Sequence, residues 1–220
     1  ITCDGYWYNG KSIDLSAKLA QIIPKLSATQ TVVLPYLGIA EPLAEQLPNA
    51  VSLSGFLDGF SAKPVSFKRL EFAHPLYILF SSGTTGVPKC IVHGQGGTLL
   101  QHVKEHWLHC GVNPEDRVFY FTTCGWMMWN WLVTALARDA TVMLYDGSPF
   151  YPDGAALFDY AEEEKFTFFG TSAKFIDAVR NEGRRPIETH SLTSVQTIAS
   201  TGSPLSPENF EFVYQGIKQD

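Results

Sequence analysis

Three things are scarce in this chain: cysteine, long apolar runs and positive charge. Its four cysteines, Cys3, Cys90, Cys110 and Cys124, are scattered over 220 residues with no C-x-x-C pair. That pattern argues against a disulfide framework and suggests reduced thiols, hence a cytoplasmic protein. No stretch reaches the roughly 18 apolar residues that a membrane-spanning helix needs. The formal charge of −6 argues against nucleic acid or an anionic membrane as the main partner, because both require a basic face. The first residues lack the basic start and apolar centre of a secretory leader. No internal repeat or low-complexity tract is visible.

What is present is an ordinary globular composition, 45% hydrophobic and 17% charged, with ample material for a core. The length suits one large domain or two small ones. The chain opens at Ile1 and stops at Asp220 just after a helical pattern, so the expectation is a piece of a longer polypeptide. Strand-like and helix-like segments alternate throughout, which predicts a layered α/β fold. Tyr6-Trp7-Tyr8 followed by Asn9-Gly10 reads as a hairpin and its turn. Asp14 is placed to cap a helix bearing Leu15, Leu19, Ile22 and Leu26, which Pro24 should bend or stop. Thr31 to Leu34 reads as a buried strand and Glu41 to Leu47 as a short helix. Residues 54 to 75 are irregular, with a small basic patch at Lys63, Lys68 and Arg69. Further on, the patterns predict strands at 91–93, 118–121, 140–144, 166–169 and 194–199. Helices are predicted at 97–109, from about 126, and at 155–164 and 172–181.

One segment carries chemistry. Tyr77-Ile78-Leu79-Phe80 reads as a buried strand that runs into Ser81-Ser82-Gly83-Thr84-Thr85-Gly86-Val87-Pro88-Lys89. Gly83 and Gly86 permit turns that other residues resist, and the small residues leave backbone N–H groups unshielded. Ser81, Ser82, Thr84 and Thr85 add hydroxyls, and Lys89 adds a positive charge on a flexible stem. These are the parts of a polyphosphate cradle. It is not a Walker A loop: Pro88 stands where the glycine before the lysine belongs, and Cys90 replaces the Ser/Thr. The dinucleotide pattern G-x-G-x-x-G also fails. The loop lies between two strands, so its anion site rests on its own N–H groups and Lys89 rather than on a helix dipole.

The string SSGTTGVPK resembles the signature loop of the adenylate-forming enzymes, the family of acyl-CoA synthetases, luciferases and peptide-synthetase adenylation domains. It departs from that signature only at Cys90, where a glycine is usual. Longer phrases, LFSSGTTGVPKCIVHGQGG, FTTCGWMMWNWL, LYDGSPFYPD, FFGTSAKF and STGSPL, resemble the branch that joins acetoacetate to coenzyme A. The resemblance covers residues 1 to 215 and implies part of a large N-terminal AMP-binding domain over 1–220. It places the remaining segments of that domain and a C-terminal catalytic lid elsewhere in the same polypeptide.

The family's roles carry over position by position. Lys89, Thr84 and Thr85 become the catalytic candidates, and Ser81, Ser82, Gly83, Gly86 and Lys89 become ATP contacts. In the family a Gly-Glu-Pro turn lies against the adenine. Here it is Gly202, Ser203 and Pro204, with Ser203 departing from the usual acid. The residue before it, Thr201, becomes an acyl-pocket candidate able to hydrogen-bond a 3-keto oxygen. Trp126, Met127 and Met128 fall where the family lines its acyl pocket, although Trp126 and Trp129 could equally pack their helix onto the sheet. ATP, Mg²⁺ and coenzyme A are the implied small molecules, with no metal ligand expected in this chain. The resemblance also implies no turnover by these 220 residues alone, since the magnesium-associated acid, the ribose-binding Asp and the catalytic lysine of the family lie beyond them.

Other patterns compete for attention. His102-Val103-Lys104-Glu105-His106 spells H-x-x-E-H, the inverted zinc-protease motif. The plainer reading puts these polar residues on the outside of a helix whose core stripe is Leu99, Leu100, Val103 and Trp107. His93 reads as a hydrogen-bonded core residue, Glu162-Glu163-Glu164 as a solvated helix end, and Arg184 and Arg185 as surface arginines or as partners of a CoA phosphate.

Overall fold

The computed structural model describes residues 1–81 and 86–219, in two compact units. The first comprises Ile1–Phe67 with Phe150–Pro152, and the second Lys68–Pro149 with Asp153–Asp220.

The first unit contains β1 (Thr2–Cys3), the hairpin β2 (Gly5–Tyr8) and β3 (Lys11–Asp14), and α1 (Ser16–Ile22). It continues with β4 (Thr31–Leu34), α2 (Ala40–Gln46), β5 (Ala50–Ser52) and α3 (Leu53–Leu57). Asn9 and Gly10 both adopt positive φ, as the Asn-Gly turn requires. Asp14 accepts a hydrogen bond from Ser16 N–H at 2.7 Å, although Leu15 occupies the cap position. Pro24 ends α1 in a 3₁₀ turn at Ile23–Lys25. β4 lies between β1 and β5 in a parallel sheet, and Leu19, Ile23, Val33 and Leu43 build the core beside it. The buried Asp4 carboxylate organises the next loop by accepting N–H bonds from Tyr36, Leu37 and Ile39 at 2.8–2.9 Å. Burial alone would raise its pKa, but these donors outweigh burial and hold it below the usual carboxylate range. The short β5 and α3 have no clear periodic signature and were not foreseen in the sequence.

In the second unit come β6 (Pro75–Ser81), β7 (Lys89–Gly94), α4 (Gln95–Lys104) and β8 (Arg117–Tyr120), then α5 (Met127–Val133) and β9 (Thr141–Met143). They are followed by α6 (Ala156–Glu163), β10 (Phe168–Ser172), α7 (Ala173–Asn181), α8 (Pro186–Thr189), β11 (Thr197–Thr201) and α9 (Pro207–Phe212). β6 and β7 form an antiparallel pair, and a parallel sheet runs in the order β11-β10-β8-β9. Alternation along the strands builds its two layers. Val118, Tyr120 and Phe168 pack with Trp131 and Leu132 of α5. Phe119 and Phe169 turn the other way. Phe119 stacks on Phe166 at 4.7 Å, and Phe169 meets Phe158 of α6 at 5.6 Å and Phe175 of α7 at 6.4 Å.

Two strands start later than their apolar runs suggest. Phe166 is buried as a helix stop rather than a strand residue: its N–H closes onto Ala161 O after Lys165 turns left-handed. This is the closure of a Schellman motif, with a buried apolar residue beyond the cap. Val195 N–H likewise closes a turn onto Leu192 O, so β11 begins only at Thr197.

The Tyr120 ring lies across Gly170 of β10, where an added Cβ would fall 2.1 Å from it. Gly170→Ala should therefore displace Tyr120 and destabilise the protein by about 1–3 kcal/mol. Chemical denaturation of the two proteins side by side measures the difference.

Candidate functional site

Ser81 pairs directly with Lys89 across the β6–β7 hairpin, so the two strands close around the loop as its sequence suggests. Ser82, Gly83, Thr84 and Thr85 lie outside the described residues. Gly86 has φ +147°, a conformation that side-chain-bearing residues rarely adopt. Lys89 is exposed, and among the described residues no carboxylate pairs with it. The base of the loop thus presents an uncompensated cation.

Tyr77, Leu79 and His93 of the same hairpin line a cavity of about 570 Å³. Its opposite wall comes from Thr98, Gln101 and His102 of α4 and from Met127 at the start of α5. The His93 ring sits 5.3 Å from Tyr77. Trp126, 70% exposed, and Met127, 46% exposed, do not pack α5 onto the sheet. Trp131 does so, with its ring 5.6 Å from Phe168 and 6.0 Å from Tyr120. Met128 is half-buried against the same core. The half-buried Trp129 lines a smaller cavity with Tyr120, Thr123, Cys124 and Tyr145.

Thr201 ends β11 opposite Ser172. Gly202 follows with φ +92°, and Thr201, Gly202, Ser203 and Pro204 are all exposed. Ser206 caps α9 as its position suggests, accepting Asn209 N–H at 3.3 Å. Because β8, β10 and β11 are parallel, Thr201–Pro204 and the segment from Phe121 to Met128 leave the sheet at one edge, with β10 between them. Met127 joins that edge to the hairpin cavity, whereas Thr201, Gly202, Ser203 and Pro204 do not line the cavity.

The stripe along α4 and the π-helical turn Glu105–His109 that continues it is the reverse of the sequence expectation. Leu100 and Trp107 are 64% and 55% exposed, and Leu99 is exposed as well, while His102 and His106 are buried. Both stripes have helical spacing, so periodicity alone could not choose between them. The inward choice follows from hydrogen bonding. His106 Nε2–H donates to Trp131 O at 2.8 Å, and His102 Nδ1 meets Thr134 Oγ1 at 3.0 Å. One other reading changes as well. Glu164 pairs with Arg117, and Glu162 accepts Ser191 N–H, so that helix end is not merely solvated. Arg184 and Arg185 stay at the surface, where Arg184 is paired with Glu182 and Asp153, and Arg185 with Glu188.

A hairpin that leaves its cation free beside a cavity suits a site for an anionic group. The model of the AMP-binding enzyme family matches residues 11–219, and the chain belongs to that family. Acetoacetyl-coenzyme A synthetase of Rhizobium meliloti (strain 1021) is 61% identical over 220 residues, all of this chain and 34% of the relative. Acetoacetyl-CoA synthetase of Gallus gallus is 46% identical over 216 residues, 96% of this chain and 32% of the relative. The solved acetoacetyl-CoA synthetase from Streptomyces lividans matches with a TM-score of 0.86 at 40% identity, over 97% of this chain and 32% of that one. This chain therefore spans about a third of the length of the relatives it matches. No helix among the described residues is long and apolar enough to cross a membrane.

Burial lowers the pKa of both His102 and His106. At His102 the nearby His93 adds to the effect; at His106 the bond to Trp131 O partly opposes it, and Glu105 and Arg138 act in opposite directions. Both rings are thus held neutral in the fold, while the unfolded chain takes up protons below about pH 6.5. Stability present above that pH is lost as the pH falls toward the folded pKa values. The urea midpoint should drop between about pH 7.5 and about pH 5.5, and drop less in a His102→Asn/His106→Gln variant. Equal drops in the two proteins would assign the effect to other groups.

Proposed function

We propose that this chain supplies the phosphate loop and part of the acyl pocket of an ATP-dependent ligase that joins acetoacetate to coenzyme A. The observation that carries this reading is the hairpin itself. One end holds Lys89 unpaired opposite Ser81, where the two strands lead into the Ser, Thr and Gly sequence, and one face lines the cavity that Met127 enters. The similarity to acetoacetyl-CoA synthetases supplies the acid. The rest of the N-terminal domain and a C-terminal lid belong, on this reading, to the same polypeptide, which works in the cytoplasm.

The chemistry asks for charge neutralisation and alignment more than proton transfer. A carboxylate oxygen of the acid attacks the α-phosphorus of ATP, and the bond to the β-phosphate bridging oxygen breaks, giving the acyl-adenylate and pyrophosphate. The thiol of coenzyme A then attacks the acyl carbon and AMP leaves. Lys89, with its charge unmet by any described carboxylate, suits the β- and γ-phosphates, where negative charge collects as pyrophosphate departs. Ser81, Ser82, Gly83, Thr84, Thr85 and Gly86 offer hydroxyl and N–H donors to the same oxygens. Mg²⁺, held chiefly by the triphosphate, supplies further neutralisation. Gly202, Ser203 and Pro204 form the adenine-facing turn. Met127 lines the cavity assigned to the acid. Trp126, Met128 and Thr201, at the neighbouring sheet edge, are assigned to the acid by resemblance. Bulk there restricts the pocket to short chains at about 1–3 kcal/mol per methylene.

The test uses the polypeptide extended to its natural ends and measures pyrophosphate release with acetoacetate, acetate, propionate and 3-hydroxybutyrate, with and without coenzyme A. Acetoacetate should be the preferred acid. Preference for another acid would discard the substrate but keep the ligase, and no release with any acid would end the reading. Lys89→Ala should lower kcat/KM for ATP by about a hundredfold.

Thr201→Val isolates the keto contact. It should reduce the preference for acetoacetate over acetate by about tenfold, because it removes one hydroxyl at nearly constant volume. An unchanged ratio would remove Thr201 from the pocket.

A further inference from the structure

The two histidines of the H-x-x-E-H segment meet the helix that carries the acyl-pocket segment, and they meet it at its far end. Thr134 Oγ1 donates its single proton to Asn130 O at 2.7 Å, so it accepts from His102 Nδ1–H at 3.0 Å. His106 Nε2–H donates to Trp131 O at 2.8 Å, since a carbonyl can only accept. Asn130 and Trp131 lie in the last turn of α5, just before it tightens into a 3₁₀ turn at Thr134–Arg138, and Trp131 O accepts the Thr134 N–H as well as the histidine. The two rings are therefore fixed as opposite neutral tautomers, His102 protonated on Nδ1 and His106 on Nε2. His106 also packs its ring on Trp131 at 4.0 Å, and its Nδ1 is buried without a partner. That cost is accepted for the bond on the other side of the ring.

α5 is only two turns long, so whatever fixes its last turn also fixes its first. Met127 opens the helix and enters the cavity, and His102 stands in the wall of the same cavity. We propose that His102 and His106 are positioning residues that set the depth of Met127 in the acyl pocket by holding the C-terminal turn of α5. The proposal rests on the assignment of that cavity to the acid. It gives the H-x-x-E-H segment a role other than metal binding: one ring ties the backbone directly, the other through the Thr134 hydroxyl. Misplacement of a pocket wall by about 1 Å is enough to cost about a hundredfold in rate.

The experiment uses the full-length polypeptide and reads the ratio of kcat/KM for acetoacetate to that for acetate, together with the KM for ATP. A ratio is blind to the fraction of folded enzyme, so a merely structural role would leave it unmoved. His106→Leu, which removes one bond, and Thr134→Val, which removes both bonds of the hydroxyl, should lower the ratio by about tenfold with the ATP KM within about twofold. His106→Gln, which returns an N–H donor near Nε2, should recover most of it, and His102→Asn, which keeps a donor near Nδ1, should stay close to the wild-type ratio. Thr134→Val is nearly isosteric, so it keeps the test decisive if His106→Leu fails to fold. A wild-type ratio in Thr134→Val, and in His106→Leu if that variant folds, would overturn the proposal. A wild-type enzyme that itself prefers acetate would instead count against acetoacetate as the substrate. The variants would then be scored on the preferred acid, where an unmoved preference overturns the positioning role by itself.

Discussion

The register of β10 is the constraint on which the candidate site depends. This strand lies between β8 and β11 with Gly170 opposite Tyr120 and Ser172 opposite Thr201. A slip of one residue would reverse every side chain between the two layers. It would turn Phe169 from the α6 aromatic cluster toward α5, and Phe168 from Trp131 toward α6. The loss on both faces fixes the register, and the register in turn fixes where Thr201 and the segment after Tyr120 leave the sheet. Gly170 removes the last steric objection by leaving room for the Tyr120 ring. The Tyr120 hydroxyl then spans the strand pair to donate to Thr171 O at 2.9 Å, and burial pushes its pKa up to about 12. The ring serves as a structural strut and stays protonated throughout the physiological range.

The hairpin obeys a different logic. Two antiparallel strands have little independent stability, so a pair that carries a phosphate loop must be tied to something else. Here the tie runs through the start of α4: Gln95 N–H bonds to His74 O, and Gly96 N–H to Phe72 O. The Phe72 ring occupies the space a side chain at position 96 would need. The first N–H groups of α4, which have no partner within the helix, thereby anchor the chain just before β6. The hairpin's attachment and the floor of its cavity are one feature, and Lys89 extends from it into solvent.

Much of this was legible in the sequence where the determinants are local. The Asn9-Gly10 turn, the stop at Pro24, the Ser206 cap and the strand–loop–strand arrangement around Lys89 each depend on residues within a few positions of one another. The α/β class followed from alternation along the chain. The polyphosphate cradle followed from its own residue types and the acyl-pocket candidates from resemblance, and the structure adds that Met127 and the hairpin share a cavity. What the sequence hid was nonlocal. Phe166 looks like a strand residue until its N–H is seen closing α6. His102 and His106 look like a polar outer face until the Thr134 hydroxyl and Trp131 O are placed beside them.

That misreading has a physical lesson. A helix with two plausible stripes is oriented by whichever stripe leaves fewer polar groups unpaired on burial, and hydrophobicity alone does not decide it. Facing Leu99, Leu100 and Trp107 inward would bury more apolar area, but it would take away the histidine partners of Trp131 O and of the Thr134 hydroxyl. The observed orientation gives each histidine an acceptor and leaves one ring nitrogen, His106 Nδ1, unpartnered. It also leaves an apolar surface on α4 to solvent, while Trp107 keeps company with the Arg138 guanidinium 4.9 Å from its ring centre. The polar satisfaction of one short helix thus determines which face of its longer neighbour is exposed, and with it the wall that the candidate acid site receives.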